Sequence, residues 1–310
     1  MLPFLRKKRH GGWLTVQCRG GRVELAHVIR QTGESPEVRL LEVFEDGGDA
    51  DAALARLRME RGLTAYRCVS LLDESDYRVI LTENPAVPDE ELNDALRWRL
   101  KDAVDFPVAD AAIATLQLVG ADDSVRLPNV FAVAAARAGI ARLMQRLITA
   151  RYDLQAVDIA ETALRNVAAL FAEPQRGLGF LYLGPTYSLF IVVYRGELLL
   201  ARRMELSAAQ LVSADPDRRV ALIERLGLDL QRTLDNFDRQ FSYVTLTRIV
   251  VACAEEVPEV LARLGDSLYF PLHAMDLAEV MQFPAIPELR RPVWQAQCLL
   301  SIGAALREGA

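Results

Sequence analysis

Cysteine and histidine are the residues of this chain whose chemistry would be easiest to recognise, because both bind metals and both act in catalysis. Zinc sites and thiol redox sites place these residues in pairs at short spacings, such as two cysteines separated by two residues. Here they are scattered singly, at Cys18, Cys68, Cys253, Cys298, His10, His27 and His273. We therefore interpret all seven as structural residues of a protein from a reducing compartment, and we expect no metal site and no disulfide framework.

The absence of common catalytic motifs and the negative net charge argue against further classes of function. The sequence contains no GxxxxGK[ST] phosphate loop, no GxSxG nucleophile elbow and no HExxH zinc motif. Its net charge of −6 argues against general nucleic-acid binding, which requires surfaces rich in lysine and arginine. We expect no catalytic residues and no nucleic-acid partner.

One basic segment stands out at the N-terminus, where Arg6, Lys7, Lys8 and Arg9 follow a short apolar stretch. A secretory signal would have the opposite order and a longer apolar region. The segment is typical of a solvated tail, and the alternative is weak attraction to the anionic inner-membrane surface.

Among the elements that would position a site, the most distinctive is an uncharged run at residues 177–194. Its length would permit a membrane span, but Gly184 and Pro185 form a strong turn signal near its middle. The flanking segments "GFLYL" and "YSLFIVVY" are rich in aromatic and β-branched residues, which favour strands. With "LLLARRMEL" they predict a meander of three strands, of which the middle one is buried on both faces.

The N-terminal region repeats this pattern. "GWLTVQC", "RVELAHVIRQ" and "PEVRLLEVFE" predict a first meander with a turn at residues 19–21. Between the two halves, a strand at 76–82, a helix at 88–104 and further strands predict an inserted α+β subdomain, which we call the inserted unit. The prediction is a duplicated α/β fold with a first lobe at 1–75, the inserted unit at 76–152 and a second lobe at 153–310.

This organisation resembles the actin-like nucleotide-binding superfamily (the ASKHA or ribonuclease H-like fold). More specific segments are "ALRWRLKDAVDFPVADAAI", "FAVAAARAGIARLMQRL", "YDLQAVDIAETALRNV" and "SIGAALRE". Together they resemble the PilM family of type IV pilus assembly proteins, and within it the MshI branch, which serves mannose-sensitive haemagglutinin (MSHA) pili. The resemblance implies a cytoplasmic protein that binds the N-terminal tail of a bitopic PilN-like or MshJ-like membrane protein. In PilM itself, a nucleotide lies between the two lobes.

The resemblance also implies two phosphate-binding turns, one in each meander, and here both depart from that pattern. The first turn is Arg19-Gly20-Gly21, and the first aspartate of the chain is Asp46. The second turn is Gly184-Pro185-Thr186, where Pro185 removes an amide donor. The purine-binding glycines that the resemblance implies are missing from "VVACAEEVPEV", and acidic Glu255 and Glu256 stand where phosphate or ribose would approach. We expect these turns to be vestigial, which disfavours bound ATP and Mg²⁺; the alternative is weak binding in which Arg19 or Thr186 contacts a phosphate.

Three hypotheses follow from the resemblance. The first is a non-enzymatic adaptor, or pseudo-ATPase, that binds a membrane protein's tail. The second is an ATP-binding switch or slow ATPase. The third is the cytoplasmic domain of a GspL-like type II secretion protein, although such proteins continue into a transmembrane helix and this chain ends at "LREGA".

A partner's tail is expected in a groove between the inserted unit and the first meander, by strand addition or through apolar pockets. As partner contacts we name Tyr77, Trp98 and Phe106. For each of them the alternative is a packing role in the core or at a domain junction.

Overall fold

Two five-stranded sheets with the same strand order form the frame of the protein. The computed structural model describes residues 10–85, 87–118, 120 and 128–308. The strands of the first sheet are β1 (Trp13–Arg19), β2 (Arg22–Ile29), β3 (Glu37–Glu45), β4 (Arg67–Leu71) and β8 (Asp153–Asp158). The strands of the second sheet are β9 (Gly177–Leu183), β10 (Ser188–Tyr194), β11 (Glu197–Met204), β12 (Leu246–Cys253) and β13 (Leu272–Ala274).

The strand orders are β3-β2-β1-β4-β8 and β11-β10-β9-β12-β13. In each sheet, an antiparallel meander is followed by two strands that run parallel to its first strand. The fold is therefore α/β and internally duplicated, as predicted. The uncharged run at 177–194 forms β9 and β10, and every residue of β10 is buried.

A third sheet has the order β5-β7-β6, with strands β5 (Tyr77–Glu83), β6 (Ala111–Gln117) and β7 (Asn129–Ala136). The helices are α1 (Ala50–Glu60), α2 (Asp89–Leu100), α3 (Arg137–Thr149), α4 (Ala160–Phe171), α5 (Ala208–Ser213), α6 (Pro216–Gln240), α7 (Val260–Ser267), α8 (Pro292–Gln297) and α9 (Leu299–Ala305). No helix in the described part of the chain combines the length and the apolar character that crossing a bilayer requires. The basic residues Arg6, Lys7, Lys8 and Arg9 lie outside the described residues.

Helix α2 covers one face of the third sheet. Leu96 and Leu100 of α2 are fully buried and pack with Val130, Ala132 and Ala134 of β7. The other face of the sheet carries Phe131 and Val133, which turn toward the two large sheets because side chains alternate along a strand. The third sheet therefore joins the rest of the protein through this second face, and α3 of the inserted unit packs on the first sheet, where Leu147 meets Leu14 and Val16 of β1.

The junction between the inserted unit and the first sheet is filled by apolar side chains. This cluster contains Leu72, Tyr77, Val133, Ala135 and Ile159. The cluster lies where β4 passes into β5 and contains no residue of the first meander. Two cavities that β5 lines lie against the second meander.

The C-terminal helix α9 ties the two large sheets together. It crosses α4 so closely that a Cβ on Gly303 would lie 2.2 Å from the carbonyl oxygen of Ala163. On its other side, the Thr15 hydroxyl of β1 donates to the Ser301 carbonyl at 2.7 Å. The predicted lobe boundary at 152/153 falls just before β8, which is a strand of the first sheet.

Candidate functional site

Two hairpin turns face the space between the large sheets, one from each meander. The first joins β1 to β2 through Gly20 and Gly21, which have φ angles of +56° and +78°. A two-residue hairpin with positive φ at both positions strongly favours glycine, because residues with a Cβ are strained there. The hairpin leaves Arg19 at the end of β1, with its side chain directed toward the space between the sheets.

The second turn, residues 184–187, joins β9 to β10. The Gly184 amide donates to the Tyr187 carbonyl at 3.0 Å, which closes the turn. A Cβ on Gly184 would lie 2.6 Å from the Tyr182 ring and 2.7 Å from the Tyr187 carbonyl oxygen, so no side chain fits at this position. Pro185 carries no amide hydrogen, and the turn therefore offers fewer donors to an anion than a proline-free turn would.

A carboxylate lies between the two turns. Glu74 belongs to the connection from β4 to β5, and one of its oxygens is 3.7 Å from a guanidinium nitrogen of Arg19. The Thr186 hydroxyl donates to the other oxygen at 3.4 Å. Both distances are longer than strong hydrogen bonds, so the attraction to Arg19 is mainly Coulombic. A side chain of this chain thus supplies negative charge between the turns.

Arg203 of β11 connects the second meander to α4, to β5 and to the β4–β5 connection. Its guanidinium donates to the Glu161 carboxylate at 2.9 Å and to the Tyr77 hydroxyl at 2.6 Å. It also donates to the backbone carbonyl of Glu74 at 3.2 Å. Tyr77 itself donates to the second oxygen of Glu161 at 2.7 Å. We call Tyr77, Glu161 and Arg203 the latch, because they join the inserted unit, α4 and the second meander.

The latch is nearly closed to solvent. The side chain of Glu161 is only 4% exposed and that of Arg203 is 28% exposed. Burial opposes the charge of Arg203, but nearby Tyr77 and Glu161 outweigh it and raise the pKa of the guanidinium. Burial, followed by the charge of Glu161, raises the pKa of Tyr77 well above its usual range. Tyr77 is therefore a neutral hydrogen-bond donor, and the Arg203–Glu161 pair carries the charge of the latch.

Tyr187 completes the wall of the cleft. Its ring lies under the Arg203 guanidinium, with 4.8 Å between the ring centroid and the guanidinium carbon. Its hydroxyl is buried and has no hydrogen-bond partner among the described residues, and the same holds for Nε of Arg19 and one oxygen of Glu74. Burial raises the pKa of Tyr187, which keeps its hydroxyl protonated. These three polar atoms could bind a small polar ligand or water.

Asp158, at the end of β8, is a cleft-side carboxylate that the sequence analysis missed. It accepts from the Ile159 amide at 3.0 Å, from Arg307 at 3.1 Å and from the Thr162 hydroxyl. These donors satisfy the carboxylate within the protein. Among the described residues there is no group of three or more metal-binding side chains. Asp158 is therefore not available to a hydrated Mg²⁺, and Pro185 leaves the second turn one amide donor short for a triphosphate.

A cavity of about 410 Å³ lies at the ends of β12 and β13, beside the segment in which the resemblance implies purine-binding glycines. Glu255, Glu256 and Val257 line it on one side and Met275 on the other. Its apolar walls would accept a flat ring. The two glutamates, however, add negative charge on the side from which phosphates would approach.

The three predicted partner contacts are not brought together. Tyr77 is 1% exposed and belongs to the latch, so a partner could not reach it in this conformation. Phe106 is half-buried and packs in the cluster beneath α2. Trp98 is 81% exposed on the outer side of α2 and, of the three, is the one open to a partner.

Comparison with known proteins supports the architecture. No protein-family profile and no curated protein sequence matches this chain. It is similar to a chain of a solved "PilM-PilN type IV pilus biogenesis complex", with a TM-score of 0.72, 19% identity, and coverage of 95% of this chain and 98% of that one. A Bacteroides thetaiotaomicron protein described as having an actin-like ATPase fold and unknown function matches with a TM-score of 0.50, 11% identity, and coverage of 97% and 99%. These likenesses establish an actin-like fold.

Proposed function

We propose that this protein is a non-enzymatic adaptor of a type IV pilus assembly platform, at the cytoplasmic face of the inner membrane. In this role it binds the cytoplasmic N-terminal tail of a bitopic PilN-like membrane protein. The observation that carries the proposal is the likeness, over 95% of the chain, to a component of a PilM-PilN type IV pilus biogenesis complex. The quoted sequence segments further support assignment to the MshI branch, with an MshJ-like partner in an MSHA-type pilus.

The absence of an enzymatic role is proposed from the charge and donors of the cleft. Glu74 places a carboxylate beside Arg19 and Thr186, where an added phosphate would meet a like charge. Pro185 removes an amide donor from the second turn, and Asp158 is engaged by Arg307 and Thr162. The latch joins the second lobe to the inserted unit through side chains of the chain itself.

The second candidate, an ATP-binding switch, is favoured by one observation. Within the part of the chain that the structure describes, the buried Tyr187 hydroxyl and Arg19 Nε have no hydrogen-bond partner, and unsatisfied buried polar atoms often mark a ligand site. In that case, the affinity for the tail would depend on nucleotide.

One binding experiment separates these functions. The purified protein is titrated with a labelled synthetic peptide of the N-terminal tail of the PilN-like protein from the same genome, with a scrambled peptide as control. We expect saturable binding of the native tail that changes by less than about twofold, or ~0.4 kcal/mol, when Mg-ATP or Mg-ADP is added. Binding that requires nucleotide would favour the switch, and failure to bind any such tail would contradict the adaptor.

A further inference from the structure

Trp98 lies at the centre of the side of α2 that faces solvent. Leu96 and Leu100, two residues before and after it, are fully buried against β7 and hold α2 on the third sheet. Residues two positions apart lie on nearly opposite sides of a helix, so the indole is turned away from the sheet and is 81% exposed. Tryptophan is highly buried on average, and it is enriched among the residues that contribute most to protein interfaces. A helix that is fixed on a sheet and presents an exposed tryptophan is therefore a candidate docking surface.

Three carboxylates share this side of the helix with Trp98. Glu91 and Asp94 precede it by seven and four residues, and Asp102, in the turn that follows α2, comes four residues after it. At these spacings the residues of a helix lie on one face. All three carboxylates are exposed, and Glu91 and Asp102 make no ion pair within the described part of the chain. The indole is therefore flanked by negative charge on both sides along the helix.

The charges of this face do not cancel. Its cations are exposed Lys101 and half-buried Arg97, which lies 4.0 Å from Asp94. The other arginine of the helix, Arg99, is paired with Glu83 at 2.7 Å and does not contribute. With exposed Glu90, the face carries four carboxylates against two cations, which leaves a surplus of negative charge. The surface is therefore complementary to a basic segment.

This surplus decides between the possible occupants. A second copy of this chain has a net charge of −6, and anionic lipid headgroups and nucleic acids are also negative, so like charges disfavour all three. The cytoplasmic flank of a membrane-spanning segment carries an excess of lysine and arginine instead. Of the aromatic side chains, tryptophan binds such cations best over the face of its ring. The cytoplasmic tail of a bitopic inner-membrane protein thus matches both the charge and the exposed indole.

We propose that the solvent face of α2 binds the basic part of the partner's cytoplasmic tail. This face, which we call the α2 face, consists of Glu91, Asp94, Trp98 and Asp102. A lysine or arginine of the tail lies against the indole and pairs with the flanking carboxylates, and a neighbouring apolar side chain covers the rest of the ring. The inference rests on the proposed adaptor function for its guest, and it adds the surface and the kind of segment that the surface recognises.

Binding to the full chain is measured by fluorescence anisotropy with two kinds of labelled peptide. The first is the native tail of the PilN-like protein from the same genome, compared with the same tail in which every lysine and arginine is replaced by glutamine. The second is a designed hexapeptide that alternates leucine and arginine. It tests the α2 face independently of the identity of the partner.

Two variants change the α2 face, and each has a matched control. The variants are Trp98→Ala and the double change Glu91→Lys with Asp94→Lys. Tyr269→Ala is the control for the first, because it removes a 93% exposed aromatic ring from the second lobe. Asp235→Lys with Asp238→Lys is the control for the second, because it reverses two exposed carboxylates at the same spacing on α6. Circular dichroism of each protein checks that the exposed substitutions leave the fold intact.

Both changes to the α2 face are expected to weaken binding of the native tail and of the hexapeptide by at least about tenfold, which is ~1.4 kcal/mol. The two controls should change it by less than about twofold. Binding to the wild type should weaken as salt is added, because the carboxylates are exposed and screened. The glutamine tail should bind at least about tenfold more weakly than the native tail, and equal affinity of the two tails would contradict recognition of the basic part.

Tryptophan emission gives a second readout. The chain contains three tryptophans, of which Trp13 is buried and Trp294 is half-buried, so the difference between the wild-type and Trp98→Ala spectra reports on Trp98. The titrant is a tail peptide in which any tryptophan is replaced by phenylalanine. Covering the indole removes it from water, and we expect the difference spectrum to shift to shorter wavelength at saturation. A difference spectrum that does not move would overturn the inference.

The outcomes distinguish the α2 face from the adaptor function. If the native tail binds but both changes to the α2 face leave its affinity unchanged, the inference is wrong and the adaptor function stands. If no tail binds, but the hexapeptide binds and loses affinity in both variants, the α2 face stands and the membrane partner is wrong. If no tail binds and the variants do not affect the hexapeptide, both are wrong.

Discussion

Removing Arg203 should strongly destabilise the protein. In Arg203→Met, the apolar stem of the side chain is kept, but Glu161 remains 4% exposed and loses its cationic partner. Breaking a buried ion pair from one side costs about 3–5 kcal/mol, and the 28% exposure of Arg203 places the expected loss near ~3 kcal/mol. From the usual unfolding entropy per residue, that corresponds to a fall in Tm of roughly 5 °C for a chain of this length.

The assay is urea and thermal unfolding of matched variants. Arg202→Met removes the neighbouring exposed arginine and should change stability by less than about 0.5 kcal/mol. Glu161→Gln tests the other partner, and the double variant should be more stable than the sum of the single changes predicts, by about 1–3 kcal/mol. The reasoning about the latch would be refuted if Arg203→Met and Arg202→Met were equally stable.

Three further predictions concern other parts of the fold. Gly303→Ala should destabilise by about 1–3 kcal/mol, because its Cβ would lie 2.2 Å from the Ala163 carbonyl oxygen. A Cβ on Gly265 in α7 would contact nothing, so Gly265→Ala should raise the free energy of unfolding by roughly 0.5–1 kcal/mol. Equal effects of Gly303→Ala and Gly265→Ala in urea unfolding would contradict this reasoning. Burial lowers the pKa of His27, so the folded state binds fewer protons than the unfolded chain near the ordinary histidine pKa. Stability should fall as pH drops below about 6.5, and His27→Gln should lose part of this dependence; identical pH profiles of Tm would show that His27 does not contribute.

The meanders could be predicted from sequence because their signals are local. Aromatic and β-branched runs with glycine turns indicated β1–β3 and β9–β11, and the uncharged β10 is buried on both faces as expected. β8 and β13 were missed because "DLQAVD" and "LHA" are too short and too mixed to produce a strand pattern. Of these two strands, β8 has the greater bearing on the candidate site, because Asp158 lies at its end.

The site was predictable only in part. The two turns could be located by their glycines, but the groups that fill the space between them come from distant positions. Arg203 and Tyr77 are 126 residues apart, and Thr186 and Glu74 are 112 apart. A charged residue in a strand, such as Arg203 in "LLLARRMEL", was a usable signal that a buried partner exists, but a single sequence does not identify the partner.

We propose that the Glu74 carboxylate provides the negative charge between the two turns and that protein contact, not nucleotide binding, is the function. Titration calorimetry with Mg-ATP, on the wild type and on Glu74→Ala, tests it most directly. We expect no binding to the wild type at millimolar nucleotide, and detectable, weak binding of phosphate or nucleotide to Glu74→Ala. Micromolar binding of Mg-ATP to the wild type would contradict it.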